Sequence, residues 1–507
     1  MDLRNTPVLV VGAGLMGAGI VQVAAQAGHP VKLFDMREGA AAGAKAKLAA
    51  TLDGLVAKGK LEAVAASAAL ARITPITALE QAGDARLVIE AVVEQLDAKR
   101  GLFGQLEGIV TAGCVLATNT SSISITAIAN GLKHPGRVVG MHFFNPVPLM
   151  KLVEVVSGLQ TERGVADAIF ELSKAWGKTP VHAKSTPGFI VNRIARPYYA
   201  ETLALLLEQA GQPQVLDACL KAAGFRMGPC ELMDLVGHDT NFAVTQSVYE
   251  ANFYDKRYVP SRLQREMVDG GLFGRKSGQG FYRYGEGAAM PALPVAVHAA
   301  PATAHEVTVH GEGAIADLLE AAATKALAGQ GWGPARDGES AWTGLRIDGA
   351  RLVLTDGRTA QQVAAEMGVA DVTVFDRPLV VPALPGTALA HATAPTAGDS
   401  WRTQAPAWLA ALGFAPLPLA DAPGLVVART VAMLINEAAD AVLQGVCSPE
   451  GADAAMKLGV NYPAGPFEWL ARWGPGGAQG VIRILQALDE HYRGERYRVS
   501  PWLRRRA

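Results

Sequence analysis

The first 35 residues constrain the fold of this 507-residue chain more than any other part of it. The short, uninterrupted apolar run Thr6–Val11 predicts a buried strand. The loop Gly12-Ala-Gly-Leu-Met-Gly17 follows it, and the run Ala18–Ala27 then predicts a helix. His29–Asp35 predicts a second strand that ends in an acid. A strand, a glycine loop, a helix and a strand in this order form a βαβ unit, which predicts a doubly wound α/β domain of Rossmann type.

The spacing of the glycines is the one that dinucleotide binding requires. Gly12 permits the tight turn, Gly14 lets the backbone approach a pyrophosphate, and Gly17 lets the helix pack closely on the strand. The free N–H groups at the helix N-terminus attract phosphate. Asp35 is placed to accept hydrogen bonds from ribose hydroxyls and to repel a 2′-phosphate, which favours NAD over NADP, whereas Arg37 argues the other way. A glycine-rich turn in some other α/β protein is the alternative interpretation.

The segments that follow continue the alternation of strands and helices. An Ala- and Lys-rich stretch, Gly39–Leu61, predicts a helix or a helical hairpin. Further strands are predicted at Arg86–Glu94, where a turn follows, and at Val115–Asn119 and Val138–Phe144. This alternation predicts a parallel, doubly wound sheet, which we assign to residues 1–186.

The rest of the chain divides into four parts. Residues 187–284 carry long helical patterns without a clear strand, which predicts an all-α domain. Residues 285–305 are rich in Ala, Pro and Gly, and we predict a linker there. Residues 306–420 predict a reduced Rossmann-like α/β domain, and residues 421–507 predict a second all-α domain.

The predicted reduced domain begins as an incomplete copy of the first βα unit. A strand at Glu306–His310 leads through Gly311-Glu-Gly313 into a helix at Ala314–Leu327. Ala316 stands where the third glycine of the fingerprint belongs, and Glu312 brings a negative charge to the place where phosphates would lie. We therefore expect that this domain does not bind a dinucleotide.

The two predicted all-α domains repeat one another. Asn192 of the first copy corresponds to Ala428 in the second, and the loss of this polar residue from a kept motif suggests that the second copy is a scaffold. Four matches between the copies, in the same order, indicate that one domain occurs twice. The matching segments are Pro187-Gly-Phe-Ile-Val-Asn-Arg193 with Pro423-Gly-Leu-Val-Val-Ala-Arg429, Glu201 with Glu437, Asp217–Lys221 with Asp453–Lys457, and Met227-Gly-Pro229 with Ala464-Gly-Pro466.

One apolar segment, Gly140–Glu154, contains a histidine, His142, and a lone carboxylate, Glu154. Burying an ionisable pair costs free energy unless the two partners satisfy each other, and such pairs often serve proton transfer. A histidine backed by a carboxylate is a general base with a fixed tautomer. The alternatives are a hydrogen-bonded core histidine and a glutamate on an exposed strand edge.

The composition excludes several classes of function. A formal net charge of -1 gives no electrostatic case for binding nucleic acid or an anionic membrane. The four cysteines have neither Cys-x-x-Cys nor zinc-site spacing, so we expect no metal site and a reducing, cytoplasmic location. We find no signal peptide and no apolar run of about 18 residues, and therefore expect no membrane span.

Long, ordered motifs in residues 5–285 resemble those of the 3-hydroxyacyl-CoA dehydrogenase family. The layout of the whole chain is similar to that of longer bacterial members, which act on 3-hydroxybutyryl-CoA or, in phenylacetate catabolism, on 3-hydroxyadipyl-CoA. The matching motifs are Gly12-x-Gly-x-x-Gly17, Glu90-Ala-Val-Val-Glu94 with Lys99, Asn119-Thr-Ser-Ser122, His142-Phe-Phe-Asn-Pro146, Pro187-Gly-Phe-Ile-Val-Asn-Arg193, Met227-Gly-Pro229 and Gly274-x-Lys-x-Gly-x-Gly-Phe-Tyr282.

The resemblance implies NAD-dependent oxidation of (S)-3-hydroxyacyl-CoA to 3-oxoacyl-CoA. It implies that His142 is the general base, that Glu154 orients it, and that Ser121 and Asn192 hydrogen-bond the substrate oxygens. The implied NAD contacts are Gly12, Gly14, Leu15, Met16, Gly17, Asp35, Glu94, Lys99, Asn119, Ser121, Asn145 and Lys276. The implied coenzyme A contacts are Thr51, Lys58 and Ser121, with Thr51 replacing a serine of some members.

The same residues leave two other functions open and allow a purely structural role for Ser121 and Ser122. A dehydrogenase for free 3-hydroxyacids, with a lysine base, and an inactive NAD-binding scaffold are the competing functions. Ser121 and Ser122 are also suited to capping a helix that we expect from about Ile123. The resemblance implies an acyl-CoA partner and allows a homodimer, with the second all-α copy taking the place of the dimer contact within one chain.

Overall fold

A computed structural model describes residues 1–294, 301, 303–380, 386–474 and 476–507. The chain divides into two compact units, residues 1–193 with 444–460 and residues 194–443 with 461–507. These units cut across the five predicted parts of the chain, whose boundaries stay a prediction. In the predicted linker, residues 285–294 belong to no helix or strand, and residues 295–300 and 302 lie outside the described residues, as do residues 381–385 and 475 of the later parts.

The described residues contain strands and α-helices along the whole chain. In chain order the strands are Val8–Val11 (β1), Val31–Phe34 (β2), Ile73–Pro75 (β3), Leu87–Glu90 (β4), Val115–Thr118 (β5), Val138–Phe143 (β6), Leu152–Ser157 (β7), Thr179–Lys184 (β8), Val307–His310 (β9), Ala335–Asp337 (β10), Gly344–Ile347 (β11), Ala350–Leu354 (β12), Val372–Phe375 (β13), Thr387–Thr393 (β14) and Phe414–Pro418 (β15). The helices are Leu15–Gln26 (α1), Ala40–Ala57 (α2), Ala63–Ala71 (α3), Leu96–Ile109 (α4), Ile125–Ala129 (α5), Arg163–Ala175 (α6), Val191–Ile194 (α7), Arg196–Leu207 (α8), Pro213–Ala222 (α9), Pro229–Val236 (α10), His238–Ala251 (α11), Arg262–Asp269 (α12), Ala314–Leu327 (α13), Ala360–Met367 (α14), Asp399–Ala411 (α15), Val427–Leu443 (α16), Pro449–Val460 (α17), Pro466–Ala471 (α18), Gly477–Tyr492 (α19) and Pro501–Arg504 (α20).

The first unit is built on an eight-stranded sheet in the order β3-β2-β1-β4-β5-β6-β7-β8. Every pairing from β3 to β6 is parallel. The expectation of a wholly parallel sheet is wrong at one place, because β7 runs antiparallel to β6 before pairing in parallel with β8. Strands β1, β4 and β5 are buried along their whole length, which explains their unbroken apolar sequences.

The second unit contains a seven-stranded sheet in the order β10-β9-β11-β12-β13-β14-β15. It mixes parallel pairings, such as β9 with β10 and β12 with β13, with antiparallel ones, such as β11 with β12. The predicted fold class is confirmed: a doubly wound sheet and an all-α region are followed by a reduced Rossmann-like sheet and a second all-α region. None of the described helices is long and apolar enough to cross a membrane.

The entry to each all-α copy has the same backbone conformation. Gly188 and Phe189 both have positive φ, at 77° and 48°, and their counterparts Gly424 and Leu425 have φ of 72° and 52°. A Cβ at Gly188 would lie 2.9 Å from the amide nitrogen of Arg193, so this turn requires glycine. The internal repeat is therefore a repeat of conformation as well as of sequence.

The two all-α copies also exchange one contact reciprocally. Glu201 of the first copy accepts hydrogen bonds from the second copy's pair Arg496-Tyr497, at 2.7 Å from the guanidinium and 3.0 Å from the phenol. Glu437 of the second copy accepts hydrogen bonds from the first copy's pair Arg257-Tyr258, at 3.2 and 2.6 Å. Both glutamates are fully buried, so each depends on a cation from the other copy.

Candidate active site

The glycine loop lies between β1 and α1 in the first unit, and it leaves room for a ligand at one position. A Cβ at Gly17 would lie 1.8 Å from the carbonyl oxygen of Gly12, and a Cβ at Gly12 would lie 2.4 Å from that of Ala91, so neither position accepts a side chain. A Cβ at Gly14 would meet no described residue within 4 Å. Gly14 is the N-cap of α1 and no side chain caps the helix there, so free N–H groups face open space that a pyrophosphate fits.

Asp35 is fixed beside this loop at the end of β2. Its carboxylate accepts hydrogen bonds from the backbone N–H of Ala13 at 2.8 Å and from the side chain of Arg37 at 3.0 Å. The Arg37 guanidinium lowers the pKa of Asp35 to about 2, so the carboxylate is ionised near neutral pH. Because Arg37 is paired with Asp35, the one cation that argued for NADP is neutralised by the acid that argues for NAD.

Glu94 organises the loop that carries Ser121. One of its carboxylate oxygens accepts hydrogen bonds from Thr120 Oγ1 at 2.7 Å, from the Ser121 N–H at 2.9 Å and from the Ser122 N–H at 3.1 Å. Burial raises the pKa of Glu94, but the Lys99 ammonium and these donors outweigh it and hold the pKa below its ordinary value. The alternative interpretation, in which Ser121 and Ser122 cap a helix, is wrong.

The cap of that helix, α5, is supplied one turn later. The Ser124 hydroxyl accepts the Ala127 N–H at 3.2 Å, and the helix begins at Ile125. Ser121 and Ser122 are left with their hydroxyls 3.3 and 3.0 Å from the Glu94 carboxylate. Their position follows from an acceptor outside the helix rather than from helix capping.

Lys99 is a buried ion-pair partner of the same network. Only 1% of its surface is exposed, and its ammonium lies 2.6 Å from Glu90 and 3.2 Å from Glu94. Glu90 is fully buried and also accepts a hydrogen bond from Thr118 Oγ1 at 2.6 Å. Lys99 therefore holds Glu94 in place, and the prediction that it contacts NAD stays a prediction.

His142 and Glu154 lie directly opposite each other on the antiparallel pair β6 and β7. His142 Nδ1 is 2.6 Å from Glu154 Oε2, and an ionised carboxylate only accepts, so Nδ1–H is the donor. His142 is 5% exposed and Glu154 is fully buried, which rules out the exposed-edge alternative for the glutamate. Among the described residues nothing hydrogen-bonds His142 Nε2, which leaves its lone pair for a ligand.

The second oxygen of Glu154 is fixed by the turn that enters the first all-α copy. Glu154 Oε1 accepts the N–H groups of Ile190 and Val191 at 3.1 and 2.9 Å. Phe189, in the left-handed conformation, lies against the His142 ring with centroids 5.8 Å apart. The turn within the repeated motif Pro187–Arg193 thus positions the Glu154 carboxylate, and this carboxylate positions His142.

Asn192 and Asn119 are close to the same pair. Asn192 Nδ2 donates to the Ser121 backbone carbonyl at 3.4 Å. Asn119 Oδ1 accepts the Phe143 N–H at 2.9 Å, directly beside His142. The structure therefore brings His142, Glu154, Ser121 and Asn192 together within the first unit.

The loop after His142 is held by a lysine that sequence reasoning missed. Lys178 Nζ donates to the carbonyl oxygens of Val147 and Met150, at 2.5 and 2.9 Å. Burial lowers the pKa of Lys178 to about 8. This loop presents the exposed side chain of Asn145, and the lone Lys178 between a glycine and a strand gave no local signal of its role.

The remaining predicted contacts lie on exposed surfaces or in the second unit. Thr51 and Lys58 are exposed on and just after α2. Leu15 is 73% exposed in the first turn of α1, where Met16 is half-buried. Lys276 belongs to the second unit and forms an ion pair with Asp239.

Residues 444–460 of the second all-α copy also belong to the first unit, and nothing in the sequence indicated this. Gln444 Oε1 accepts a hydrogen bond from Arg193 at 2.8 Å. In α17, a Cβ at Gly459 would lie 2.7 Å from the Leu152 side chain and 3.0 Å from the Val191 side chain. The strand that carries Glu154 is therefore packed against a segment that follows it by about 300 residues of sequence.

Models of known families match most of the chain. The NAD binding domain of 3-hydroxyacyl-CoA dehydrogenase matches residues 7–186, and its C-terminal domain matches residues 188–284 and 424–507. The chain belongs to the 3-hydroxyacyl-CoA dehydrogenase family. The reduced Rossmann-fold domain of 3-hydroxybutyryl-CoA dehydrogenase matches residues 352–423, which confirms the nature of the second sheet.

Some relatives of this family member align with the whole chain, and others align with about half of it. It is 43% identical to the 3-hydroxyadipyl-CoA dehydrogenase of Escherichia coli over 100% of this chain and 98% of that protein. The 3-hydroxybutyryl-CoA dehydrogenase of Clostridioides difficile is 41% identical and aligns with 54% of this chain and 98% of its own length. The crystal structure of 3-hydroxybutyryl-CoA dehydrogenase from Escherichia coli superimposes with a TM-score of 0.89 at 42% identity, covering 100% and 98% of the two chains.

Family membership confirms the predicted cofactor and reaction class. The chain is an NAD-dependent enzyme that oxidises 3-hydroxyacyl-CoA, and its open, uncapped glycine loop fits the cofactor. Membership also decides against the dehydrogenase with a lysine base and against the inactive scaffold.

Proposed function

We propose that His142 Nε2 is the general base that removes the proton of the substrate 3-hydroxyl as hydride leaves C3. The observation that carries this proposal is the 2.6 Å contact of His142 Nδ1 with Glu154. It fixes the neutral tautomer in which Nε2 bears the lone pair. Bound NAD supplies the hydride acceptor, and the proton that the reaction releases is held at Nε2.

Glu154 stabilises the imidazolium that forms. Its buried charge lies opposite His142, and its second oxygen is held by the N–H groups of Ile190 and Val191. A carboxylate fixed in this way cannot turn from the ring, so the stabilisation is preorganised. The same contact that sets the resting tautomer therefore favours the protonated state during reaction.

Ser121 and Asn192 are the proposed substrate partners. Their closeness is supported by the 3.4 Å hydrogen bond from Asn192 to the Ser121 carbonyl, and Ser121 is held by Glu94. We propose that the Ser121 hydroxyl and the Asn192 amide hydrogen-bond the 3-oxygen and the thioester oxygen. Thr51 and Lys58 are proposed to contact the coenzyme A part, because an exposed lysine is a suitable partner for its phosphates.

The proposed preferred acyl group is that of 3-hydroxyadipyl-CoA. The support is the full-length relative that carries this name at 43% identity. The test compares kcat/KM for NADH oxidation with 3-oxoadipyl-CoA, with acetoacetyl-CoA and with the matching free acids. We expect the highest value for 3-oxoadipyl-CoA and no turnover of free acids. A higher value for acetoacetyl-CoA would contradict the adipyl preference, and turnover of the free acids would contradict the thioester site.

We also propose that the second all-α copy supplies within one chain the contact that would otherwise join two chains. The reciprocal burial of Glu201 and Glu437 against the Arg-Tyr pair of the other copy supports this. Glu437→Gln should then lower the thermal stability of the chain without changing its mass in solution. A cytoplasmic location is proposed as well, supported by the four cysteines being free thiols.

A further inference from the structure

The second unit contains a cavity of about 690 Å³ at the carboxyl end of its sheet. Its walls include the loop Gly311–Glu312 after β9, the start of α13, and residues of the second all-α copy such as Trp473. A volume of this size holds a nucleotide-sized molecule, and the crevice beyond the carboxyl ends of the strands is where open α/β sheets bind ligands. Nothing in the proposed dehydrogenase mechanism uses this cavity.

The loop at this cavity keeps part of the geometry of the first glycine loop. The Gly311 N–H donates to the Asp337 carbonyl at the end of the neighbouring strand, as the Gly12 N–H does to the carbonyl of Phe34. By this pairing Asp337 corresponds to Phe34, and Gly338 stands where Asp35 stands in the first unit. The chain thus retains the turn but not the acid, and the exposed Glu312 and the missing third glycine oppose a pyrophosphate on the loop.

Arg377 lines the cavity, and it has no ion-pair partner among the residues that the structure describes. Arg377 donates from Nη1 to the Trp473 carbonyl at 2.8 Å, but its buried Nε has no hydrogen-bond partner, and it forms no ion pair with any described residue. The adjacent carboxylate of Asp376 is occupied by N–H groups, among them those of Val426 and Val427. A guanidinium placed in this way has capacity left for an anion.

The other groups at the cavity suit a ligand with a flat ring and a phosphate. Arg472 and Arg483 line it from exposed positions. Trp342, Trp469 and Trp473 contribute indole surface to its wall. The buried indole N–H of Trp473 has no hydrogen-bond partner among the described residues, although only 4% of this residue is exposed. Aromatic walls with several cations recognise a planar base joined to an anion.

We propose that this cavity is a second ligand site, which binds the phosphate and base of an adenine nucleotide. Its glycine loop does not hold a pyrophosphate. Arg377, with Arg472 and Arg483 at the mouth, takes the phosphate, and the indole wall takes the base. Free AMP and the nucleotide end of coenzyme A share this chemistry. The site is distinct from the dehydrogenase centre, whose His142–Glu154 pair belongs to the first unit.

Equilibrium dialysis of the full-length protein with labelled AMP tests the proposal, with NADH saturating so that the first glycine loop is filled. We expect one saturable AMP per chain. Arg377→Gln should weaken AMP binding roughly tenfold or more, because it removes a charge-assisted hydrogen bond. Glu312→Gln removes a repulsive charge and should tighten AMP binding. Arg505→Gln, an exposed arginine of the C-terminal tail, is the matched control and should change nothing.

Displacement of AMP by unlabelled CoA would assign the site to the nucleotide end of coenzyme A, and failure of CoA to displace it would assign the site to a free nucleotide. Absence of saturable AMP binding would overturn the proposal, as would equal displacement by inorganic phosphate. An unchanged affinity in folded Arg377→Gln would overturn it too. If Arg377→Gln does not fold, the exposed substitutions Arg483→Gln and Glu312→Gln decide, with loss expected for the first and gain for the second.

Discussion

Glu154→Gln tests whether the buried carboxylate makes His142 a base. The wild-type Oε1 accepts the N–H groups of Ile190 and Val191, while Oε2 faces His142 Nδ1. If the new amide turned its NH₂ group towards the two N–H donors, both would lose their acceptor, at a cost of about 1–3 kcal/mol each. The amide oxygen therefore stays on that side, and the NH₂ group points at His142.

An NH₂ group facing Nδ1 forces the His142 ring into the tautomer that carries its proton on Nε2. Nδ1 must then accept, the ring proton moves to Nε2, and the lone pair that receives the substrate proton is lost. The missing carboxylate contact to the imidazolium alone is worth about 1.5–3 kcal/mol, or roughly 10- to 150-fold in rate. The corresponding amide substitution in a serine-protease triad, where the tautomer also changes, lowers kcat by about 10⁴-fold. We expect kcat to fall by about 10²- to 10⁴-fold.

The assay is NADH oxidation with saturating acetoacetyl-CoA, together with NADH affinity and the midpoint of thermal unfolding. The matched control is Asp167→Asn, which removes the carboxylate from a second histidine pair, 3.7 Å from the half-exposed His182. That control should leave kcat unchanged. A kcat of Glu154→Gln within threefold of wild type, with the protein folded and binding NADH, would refute the assignment of the base.

Three further predictions concern the cofactor site and its support. Gly14→Ala should weaken NADH binding without lowering the unfolding midpoint, because its Cβ meets open space, whereas Gly17→Ala should impair both, because its Cβ would lie 1.8 Å from a loop carbonyl. Lys99→Met should lower the free energy of unfolding in denaturant titrations by roughly 3–5 kcal/mol, since it leaves the buried Glu90 carboxyl without its cation, and unchanged stability would argue against the pair. Because the pKa of Asp35 is about 2, the preference for NADH over NADPH should stay constant from about pH 7 to 9, where the 2′-phosphate is fully ionised, and drop roughly tenfold in Asp35→Ser. A wild-type preference for NADH that falls steadily as the pH is lowered through this range would contradict this interpretation of Asp35.

Local pattern was enough to predict the elements that build the cofactor loop. The apolar runs before Gly12 and Asp35 predicted strands within a few residues of β1 and β2, since β1 is buried throughout and β2 is buried at every second position. Helix α13 was predicted with its observed bounds, because a glycine precedes it and its apolar periodicity is unbroken. The His142–Glu154 pair was predicted from two ionisable residues in an apolar segment, and the register of β6 and β7 places the two side by side.

What sequence reasoning missed depends on long-range contacts. Strand β8 carries a proline, a residue that is depleted in strands, and its pairing with β7 identifies it. The packing of residues 444–460 in the first unit crosses hundreds of residues and leaves no local pattern. The match of Arg257-Tyr258 with Arg496-Tyr497 was open to a search for repeats, and its role became evident only from the buried glutamates that these pairs bind.

The central claim is that one dehydrogenase site on a duplicated chain depends on His142. The most direct measurement combines the rate of NADH oxidation with acetoacetyl-CoA and the affinity and stoichiometry of NADH for wild type and His142→Ala. We predict one NADH per chain in both proteins, affinities within about twofold, and a rate in the variant at least about 10³-fold lower. A variant that keeps substantial turnover, or that loses NADH binding along with its activity, would contradict the claim.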